Sequence, residues 1–141
     1  MWLRTVLSLA STMAAATLIP GGAPPASAQE SGRVFELRTY TCYEGKLPEL
    51  LARFRDHTMG IFAKHGMTSI AYWVPQDPPA SQNTLIYILA HPSREAARKN
   101  WEAFRNDPEW QKVQKESEAH GKLVMKVESV FMAPTDFSPL K

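Results

Sequence analysis

This 141-residue sequence contains few of the residues and motifs that would identify a reaction directly. It contains one cysteine, Cys42, so no internal disulfide can form. We expect that thiol to be buried near the end of a strand, because free cysteine is among the most often buried residues; a cross-link between chains stays open. The sequence has no P-loop, no G-x-G-x-x-G, no G-x-S-x-G, no C-x-x-C and no H-x-x-x-H motif. A structural metal site is therefore not expected.

The chain also lacks a strong charge of either sign. Sixteen Lys and Arg stand against 14 Asp and Glu, which gives a formal net charge of +2. Proteins that bind single-stranded nucleic acid combine a basic groove with interleaved aromatic residues, and no segment here shows that pattern. We therefore expect no nucleic-acid partner.

The one long apolar segment lies at the N-terminus and is short for a membrane span. Residues 6–19 are apolar or small, whereas a spanning helix needs about 20 apolar residues. Arg4 precedes this segment, and Ala26-Ser27-Ala28 follows it with the small residues of a cleavage site. The sequence therefore predicts a signal peptide over residues 1–28, cleaved after Ala28.

Export to the periplasm or outside the cell follows from that prediction, with no membrane span in the mature chain. A mitochondrial presequence is the weaker alternative, because one arginine is few for that class. Residues 29–33 are expected to be a short linker, and residues 34–141 have the length of one domain.

Hydrophobic periodicity predicts the element order βαββαβ. The predicted strands cover residues 34–41, 67–74, 83–90 and 122–132. The predicted helices cover residues 46–65, a segment after the N-cap Ser93, and residues 108–120. Residues 75–82 are predicted to form a rigid loop, and the C-terminal tail is expected to pack through Phe137.

The third predicted strand carries the most information about assembly. Its alternating side chains are apolar on both faces, with Leu85 and Tyr87 on one and Ile86 and Ile88 on the other. A strand of this kind needs cover above and below. The predicted helices can cover one face only, so a second copy of the chain is expected on the other. Right-handed crossovers place strands 1 and 3 in the centre, which makes the fold α+β and ferredoxin-like.

Charged residues of alternating sign occur on the predicted neighbouring strands 1 and 4. They are Glu36, Arg38, Lys126 and Glu128. Two interpretations are open. The charges pair across the strands and set their register, or they form a polar lining between two facing sheets, to which Tyr40 and Tyr72 add hydroxyls.

Several runs of this sequence, in order and at family-like spacing, resemble the NIPSNAP family. They include Phe35-Glu36-Leu37-Arg38-Thr39-Tyr40, Arg53-Phe54-Arg55-Asp56-His57-Thr58, Lys64-His65-Gly66-Met67, Asp107-Pro108-Glu109-Trp110 and Pro134-Thr135-Asp136-Phe137. The chain departs from the common Pro-Gly of the family at Glu44-Gly45, which should change a turn and not the fold. The resemblance implies a dimeric α/β-barrel, in which two ferredoxin-like sheets face each other. The family has no well-defined reaction, and the wider superfamily includes cofactor-free oxygenases, haem-binding enzymes and isomerases.

Two functions of different classes follow. The first is an exported homodimer that binds a small molecule or a partner without catalysis. The second is an oxygenase- or isomerase-like enzyme, with His57 as acid or base and with Arg38, Tyr40, Tyr72 and Glu128 binding the ligand. A cavity of about 300 Å³ or more between the first helix and the sheet is expected for either.

Alternatives exist for the individual site residues. His57 is equally explained as a partly buried histidine that bonds to the backbone, and His65 as a cation near a helix C-terminus. The aromatic residues Trp73, Trp101 and Trp110 are expected in the core. No cofactor is evident, and haem held by a single histidine is left open.

Overall fold

The structure, a computed structural model, describes residues 32–141, so the predicted signal peptide lies outside the described residues. The strands are β1 (Val34–Cys42), β2 (Thr68–Trp73), β3 (Thr84–His91) and β4 (Val124–Met132). The helices are α1 (Leu47–Arg53), α2 (Met59–Lys64), the short α3 (Ala80–Asn83), α4 (Arg94–Asn106) and α5 (Pro108–Ser117). Among these helices none is long and apolar enough to cross a bilayer. The predicted order of elements is confirmed, with α3 as a short addition in the predicted loop.

The four strands form one antiparallel sheet in the order β2-β3-β1-β4. The two central strands are those predicted. Leu85 and Leu89 of β3 are fully buried beneath the helices, whereas Ile86 and Ile88 on the other face are only half-buried. The helices therefore cover one face of the sheet. The opposite face, which we call the open face, has no helical cover among the described residues.

The first predicted helix is continuous but not uniform. A π turn, Phe54–Thr58, joins α1 to α2, and the N–H of Met59 donates to the carbonyl of Phe54, five residues back. The hydroxyl of Thr58 donates to the Arg53 carbonyl at 3.2 Å, which gives a buried side chain a local partner. A π turn inserts one residue into the helical repeat, so hydrophobic periodicity alone does not predict it.

Aromatic side chains dominate the core between the helices and the sheet. Phe54 lies at its centre, with ring centroids 5.2 Å from Tyr87 and 6.0 Å from Phe62 in edge-on arrangements. Phe62 also contacts Trp101 and Phe104 on α4, at 5.4 and 5.0 Å. Burying each such ring contributes roughly 1.5–3 kcal/mol. This cluster holds α1, the π turn and α4 against β3.

Asp107 fixes the junction between α4 and α5. Its carboxylate caps α5 by accepting from the Glu109 N–H at 2.8 Å, as the sequence predicts. It also contacts Lys64 at 2.8 Å and His65 at 2.6 Å, both at the end of α2. These hydrogen bonds lower the pKa of the Asp107 carboxyl below its usual range.

The C-terminal tail and one tryptophan differ from expectation. Phe137 is 84% exposed, so the tail does not pack through it. Instead, residues 132–140 enclose a cavity of about 270 Å³ over Phe35 and Ile88 at one end of the open face. Trp73 is 49% exposed on that face, whereas the core prediction holds for the buried Trp101 and the half-buried Trp110. Cys42 is buried, as predicted.

A candidate ligand-binding groove along the fourth strand

The polar face of β1 points toward the helices and away from the open face. Glu36 is 1% exposed and hydrogen-bonds to Trp101 of α4, while the Tyr40 ring packs on Phe54. By the register, Thr39 lies opposite Glu128, which places Glu128 and Lys126 on the open face. The two pairs of charges therefore lie on opposite faces of the sheet, so they neither pair across the strands nor form one common lining. Each pair forms within its own strand, Glu36 with Arg38 at 2.7 Å and Lys126 with Glu128 at 2.9 Å.

Glu36 is the acceptor of a buried hydrogen-bond network. Its two oxygens accept from four side chains: Trp101 Nε1 at 2.6 Å, Ser129 Oγ at 2.7 Å, Arg38 Nη1 at 2.7 Å and His91 Nε2 at 3.0 Å. Burial alone would raise the pKa of this carboxyl, but the four donors outweigh it and lower the pKa to about 2. Glu36 is therefore an anion at neutral pH, and its lone pairs are occupied.

Arg38 and Tyr40 lie next to this network. Arg38 Nη2 donates to the Tyr40 hydroxyl at 3.3 Å, and the guanidinium lies 4.2 Å from the centre of the Trp101 ring. Arg38 Nε and the hydroxyl of Tyr87, its partner across the β1–β3 ladder, are buried without a hydrogen-bond partner among the described residues. Buried polar groups in native proteins are nearly always paired, so two neighbouring unpaired donors indicate a place where a ligand group or ordered water would bind.

Two cavities follow one another along the helix-facing side of β4. The first, which we call the Tyr40 cavity, has a volume of about 310 Å³ and is lined by Tyr40, Arg53, Phe54, Trp110, Met125 and Val127, among others. The second, the arginine cavity, has a volume of about 510 Å³ and includes Arg38, Arg94, Arg98, Trp101, Arg105 and Phe131. The first half of β4, residues 124–127, lines the Tyr40 cavity, and Ser129 and Phe131 line the arginine cavity. We call the two cavities together the β4 groove; the Arg38–Tyr40 hydrogen bond joins a lining residue of one to a lining residue of the other.

The expected cavity between the first helix and the sheet is thus present. Phe54 and Thr58 of the π turn line the Tyr40 cavity, so the irregular helical segment forms part of its wall. Arg53 is 6% exposed; its guanidinium donates to Ser117 Oγ at 3.2 Å and Glu118 Oε1 at 3.3 Å, and it lies 5.2 Å from the Trp110 ring centre. These contacts hold α5 against the π turn and keep the cavity polar on one side.

The structure brings together three of the five predicted site residues. Arg38 and Tyr40 form part of the groove, and the Tyr72 ring stacks on Tyr87 at 5.4 Å, while Tyr87 contacts Tyr40 at 5.3 Å. The Tyr72 hydroxyl bonds to Ser69 at 2.7 Å, and burial raises its pKa. Glu128 lies on the other side of the sheet, so it cannot share a site with these three.

His57 is the second predicted residue that lies elsewhere. It is exposed on the outer face of the π turn, in a separate depression of about 360 Å³ that also includes Asp56, Val113 and His120. The prediction that His57 shares a cavity with Arg38 is wrong. The physical reason is that Phe54 and Thr58 occupy the inward positions of the π turn, which leaves His57 facing solvent.

The groove does not fit haem held by a histidine. None of the described residues that line its two cavities is a histidine, so it offers no imidazole ligand for iron. His91 is the nearest in the network, but its Nε2 is committed to Glu36. Within residues 32–141, no group of three or more metal-ligating side chains converges.

Sequence reasoning missed two residues that line the groove, Arg53 and Trp101, and the buried Tyr87, which contacts Tyr40. Arg53 occupies a buried position in the otherwise apolar stripe of α1. A charged residue at a position where helical periodicity predicts an apolar one could have been recognised from the sequence. Trp101 was assigned to the core, and nothing in the sequence shows that its indole N–H donates to Glu36. Tyr87 is the one hydroxyl on the covered face of β3, a position where an aliphatic residue would pack without a polar group.

Comparison with known proteins agrees with this fold. A model of the NIPSNAP family matches residues 35–139. A NIPSNAP family protein from Agrobacterium tumefaciens superposes with a TM-score of 0.67 at 27% identity, over 77% of this chain and 99% of that one. An uncharacterized NIPSNAP-like domain protein from Burkholderia xenovorans superposes with a TM-score of 0.67 at 18% identity, over 77% of this chain and 90% of that one. A search of the curated proteins finds no match.

A more distant likeness concerns the fold alone. SnoaB, a cofactor-independent oxygenase from Streptomyces nogalater, superposes with a TM-score of 0.52 at 15% identity, over 77% of this chain and 98% of that one. The family match, in contrast, spans nearly all of the described domain and includes the groove strands β1 and β4. The chain therefore belongs to the NIPSNAP family.

Proposed function

We propose that this protein is an exported homodimer that binds a small organic molecule in the β4 groove of each subunit, without catalysing a reaction. The observation that carries the proposal is the groove itself. Its Tyr40 cavity of about 310 Å³ falls within the size range of small-molecule sites, and the adjoining arginine cavity is lined by Arg38, whose Nε is buried without a partner among the described residues. The wall is mixed, with the apolar rings of Phe54 and Trp110 next to the guanidinium of Arg53.

The open face supports the homodimer. Val130 is 54% exposed and Trp73 49% exposed there, beside the half-buried Leu37, Ile86 and Ile88. Contiguous apolar surface of this kind marks interaction sites. A second copy of the sheet offers the same residues with matching chemistry, as a two-fold interface requires. The groove lies on the other side of the sheet and would stay open in such a dimer.

Cofactor-independent oxygenation is the second candidate, favoured only by the likeness of fold to SnoaB. The side chains of the groove argue against it. Burial raises the pKa of the Tyr87 hydroxyl well above its usual range, so it remains a protonated donor at neutral pH and cannot act as a base. Glu36 has its oxygens filled, and His57 faces solvent. The other carboxylates of the groove, Glu118 and Glu95, are paired with Arg53 at 3.3 Å and with Arg98 at 2.8 Å, so the groove is better suited to hydrogen bonding than to proton abstraction.

Two substitutions on one strand test the two halves of the proposal separately. Val127 is 47% exposed in the Tyr40 cavity, and Val130 is on the open face of the same strand. We expect Val127→Trp to fill the cavity and leave the dimer intact. We expect Val130→Glu to produce monomers, because a buried unpaired charge is costly.

Native mass spectrometry of the exported protein reads out both effects. The wild type is expected as a dimer with added mass, Val127→Trp as a dimer without it, and Val130→Glu as a monomer. A wild-type monomer would refute the dimer. Added mass that is unchanged in Val127→Trp would show that the groove is not the site.

A further inference from the structure

The charge of the arginine cavity indicates which class of molecule the groove takes. Arg94, Arg98, Trp101 and Arg105 recur along α4 at steps of four, three and four residues, which places them on one face of the helix. All four line the arginine cavity opposite Phe131 of β4. A row of guanidinium groups thus borders the cavity, with one indole ring among them.

The negative charges near this row do not cancel it. Arg98 is neutralised by Glu95 at 2.8 Å and Glu102 at 3.5 Å on its own helix. Arg94 lies over the Phe131 ring at 4.7 Å, and neither it nor Arg105 contacts a carboxylate among the described residues. Of the lining residues, four are arginines and two are glutamates, so the cavity has an excess of positive charge.

The buried carboxylate beneath the cavity does not repel an anion. Both oxygens of Glu36 accept hydrogen bonds, and Arg38 balances its charge at 2.7 Å. Arg38 still has its Nε without a partner. The floor of the cavity is therefore electrically neutral and retains one buried donor, while Arg94 and Arg105 above it supply uncompensated charge.

We propose, building on the proposed groove function, that the ligand is an amphipathic organic anion. Its carboxylate or phosphate group lies in the arginine cavity and is bound by Arg105 and Arg38, while Arg94, about 16 Å away along α4, adds positive charge at the other end of the cavity. Guanidinium groups suit this role because they are always charged and match the geometry of both anionic groups with paired donors. Its apolar or aromatic body lies in the Tyr40 cavity, against Met125, Val127 and Trp110.

Matched probes separate the anion claim from the groove claim. Decanoate, decyl phosphate and the neutral decanol have unbranched apolar chains of nine or ten carbons and differ in the head group. Binding is followed by the indole N–H resonance of Trp101, which donates to Glu36 inside the arginine cavity, and by titration calorimetry. We expect decanoate or decyl phosphate to bind at least about tenfold tighter than decanol, since one charge-assisted hydrogen bond is worth that much. The tighter of the two identifies the anionic group.

Variants locate the charge effect. Arg94→Ala combined with Arg105→Ala should weaken binding of the anions at least about tenfold and leave decanol unchanged. The control is Arg55→Ala, an exposed arginine on the π turn outside both groove cavities, which should change neither. Both arginines of the double variant are exposed, so the amide spectrum should show an intact fold.

The outcomes distinguish failure of the anion inference from failure of the proposed groove function. Decanol and the anions binding equally would overturn the anion inference and leave the groove function standing. Failure of all three probes to bind would overturn both. An anion preference that Arg55→Ala reduces as much as the double variant would show that net charge, and not this cavity, is responsible.

Discussion

Replacing Glu36 by Gln is the perturbation whose cost the structure defines best. The side chain is 1% exposed and accepts hydrogen bonds from four donors. Glutamine has nearly the same shape but brings an NH₂ group where acceptors are needed, and it leaves Arg38 buried without its counter-ion. Breaking a buried ion pair by removing one partner costs about 3–5 kcal/mol. A domain of this size is stable by about 5–15 kcal/mol in total, so the variant should fold but unfold at much lower denaturant.

The pH dependence gives a second estimate of the free energy of unfolding that depends on Glu36. The network lowers the pKa of Glu36 from 4.5 to about 2, and each pKa unit corresponds to about 1.4 kcal/mol, which gives about 3 kcal/mol. A lowered carboxyl pKa stabilises the fold above the unfolded pKa of 4.5. That stabilisation is lost as the pH falls from 4.5 toward 2, where the native carboxylate becomes protonated.

The assay is equilibrium unfolding in urea at a series of pH values between 7 and 2. Wild type and Glu36→Gln should differ by about 3 kcal/mol at pH 7, and the difference should shrink as the pH approaches 2. Glu49→Gln is the control, because Glu49 is an exposed partner of Lys46 at 2.8 Å and such a pair is worth less than about 1 kcal/mol. A loss at Glu36 no larger than at Glu49, or one independent of pH, would refute the reasoning.

Two further predictions concern the periphery and the centre of the core. Asp107→Ala removes the cap of α5 and the contacts to Lys64 and His65, so its melting temperature should fall at pH 7. Because the pKa of Asp107 is lowered, that fall should diminish as the pH drops below the ordinary range of aspartate; an equal fall in acid would contradict the assignment. Tyr87→Phe removes a buried hydroxyl without a partner, so the free energy of unfolding should be unchanged or rise by up to about 1 kcal/mol, measured in urea. A loss of more than about 1 kcal/mol would show that the hydroxyl is bonded in the native protein.

The sequence was sufficient for the topology because β3 is apolar on both faces. Leu85, Tyr87 and Leu89 meet the helices, and Ile86 and Ile88 face the other way, as alternation requires. Together with the helix starts at Ser93 and Asp107, both confirmed as caps, this determines which strands are central. Local chemistry of this kind can be recognised without any long-range contact.

The orientation of β1 could not be predicted in the same way. The face with Phe35 and Leu37 carries no charge, and the usual assumption is that the more apolar face meets the helices. Here the face with Glu36 and Arg38 does so, because Trp101 and His91 supply donors from distant parts of the chain. Neither contact is local in sequence. The structure therefore brings Arg38, Tyr40 and Tyr72 of the candidate site together and places Glu128 and His57 elsewhere, while the ligand-binding role of the three stays a prediction.

The alternation of β1 has a consequence for regulation. Leu37 lies toward the proposed dimer interface, while its chain neighbour Arg38 lies in the proposed ligand groove. A ligand that changes the position of Arg38 therefore acts on the same peptide units that carry Leu37. Linkage then requires reciprocity: a ligand that tightens association of subunits by some factor binds the assembled form more tightly by that same factor. The concentration of the protein would then affect its ligand affinity, and the effect would pass through one strand without movement of a domain.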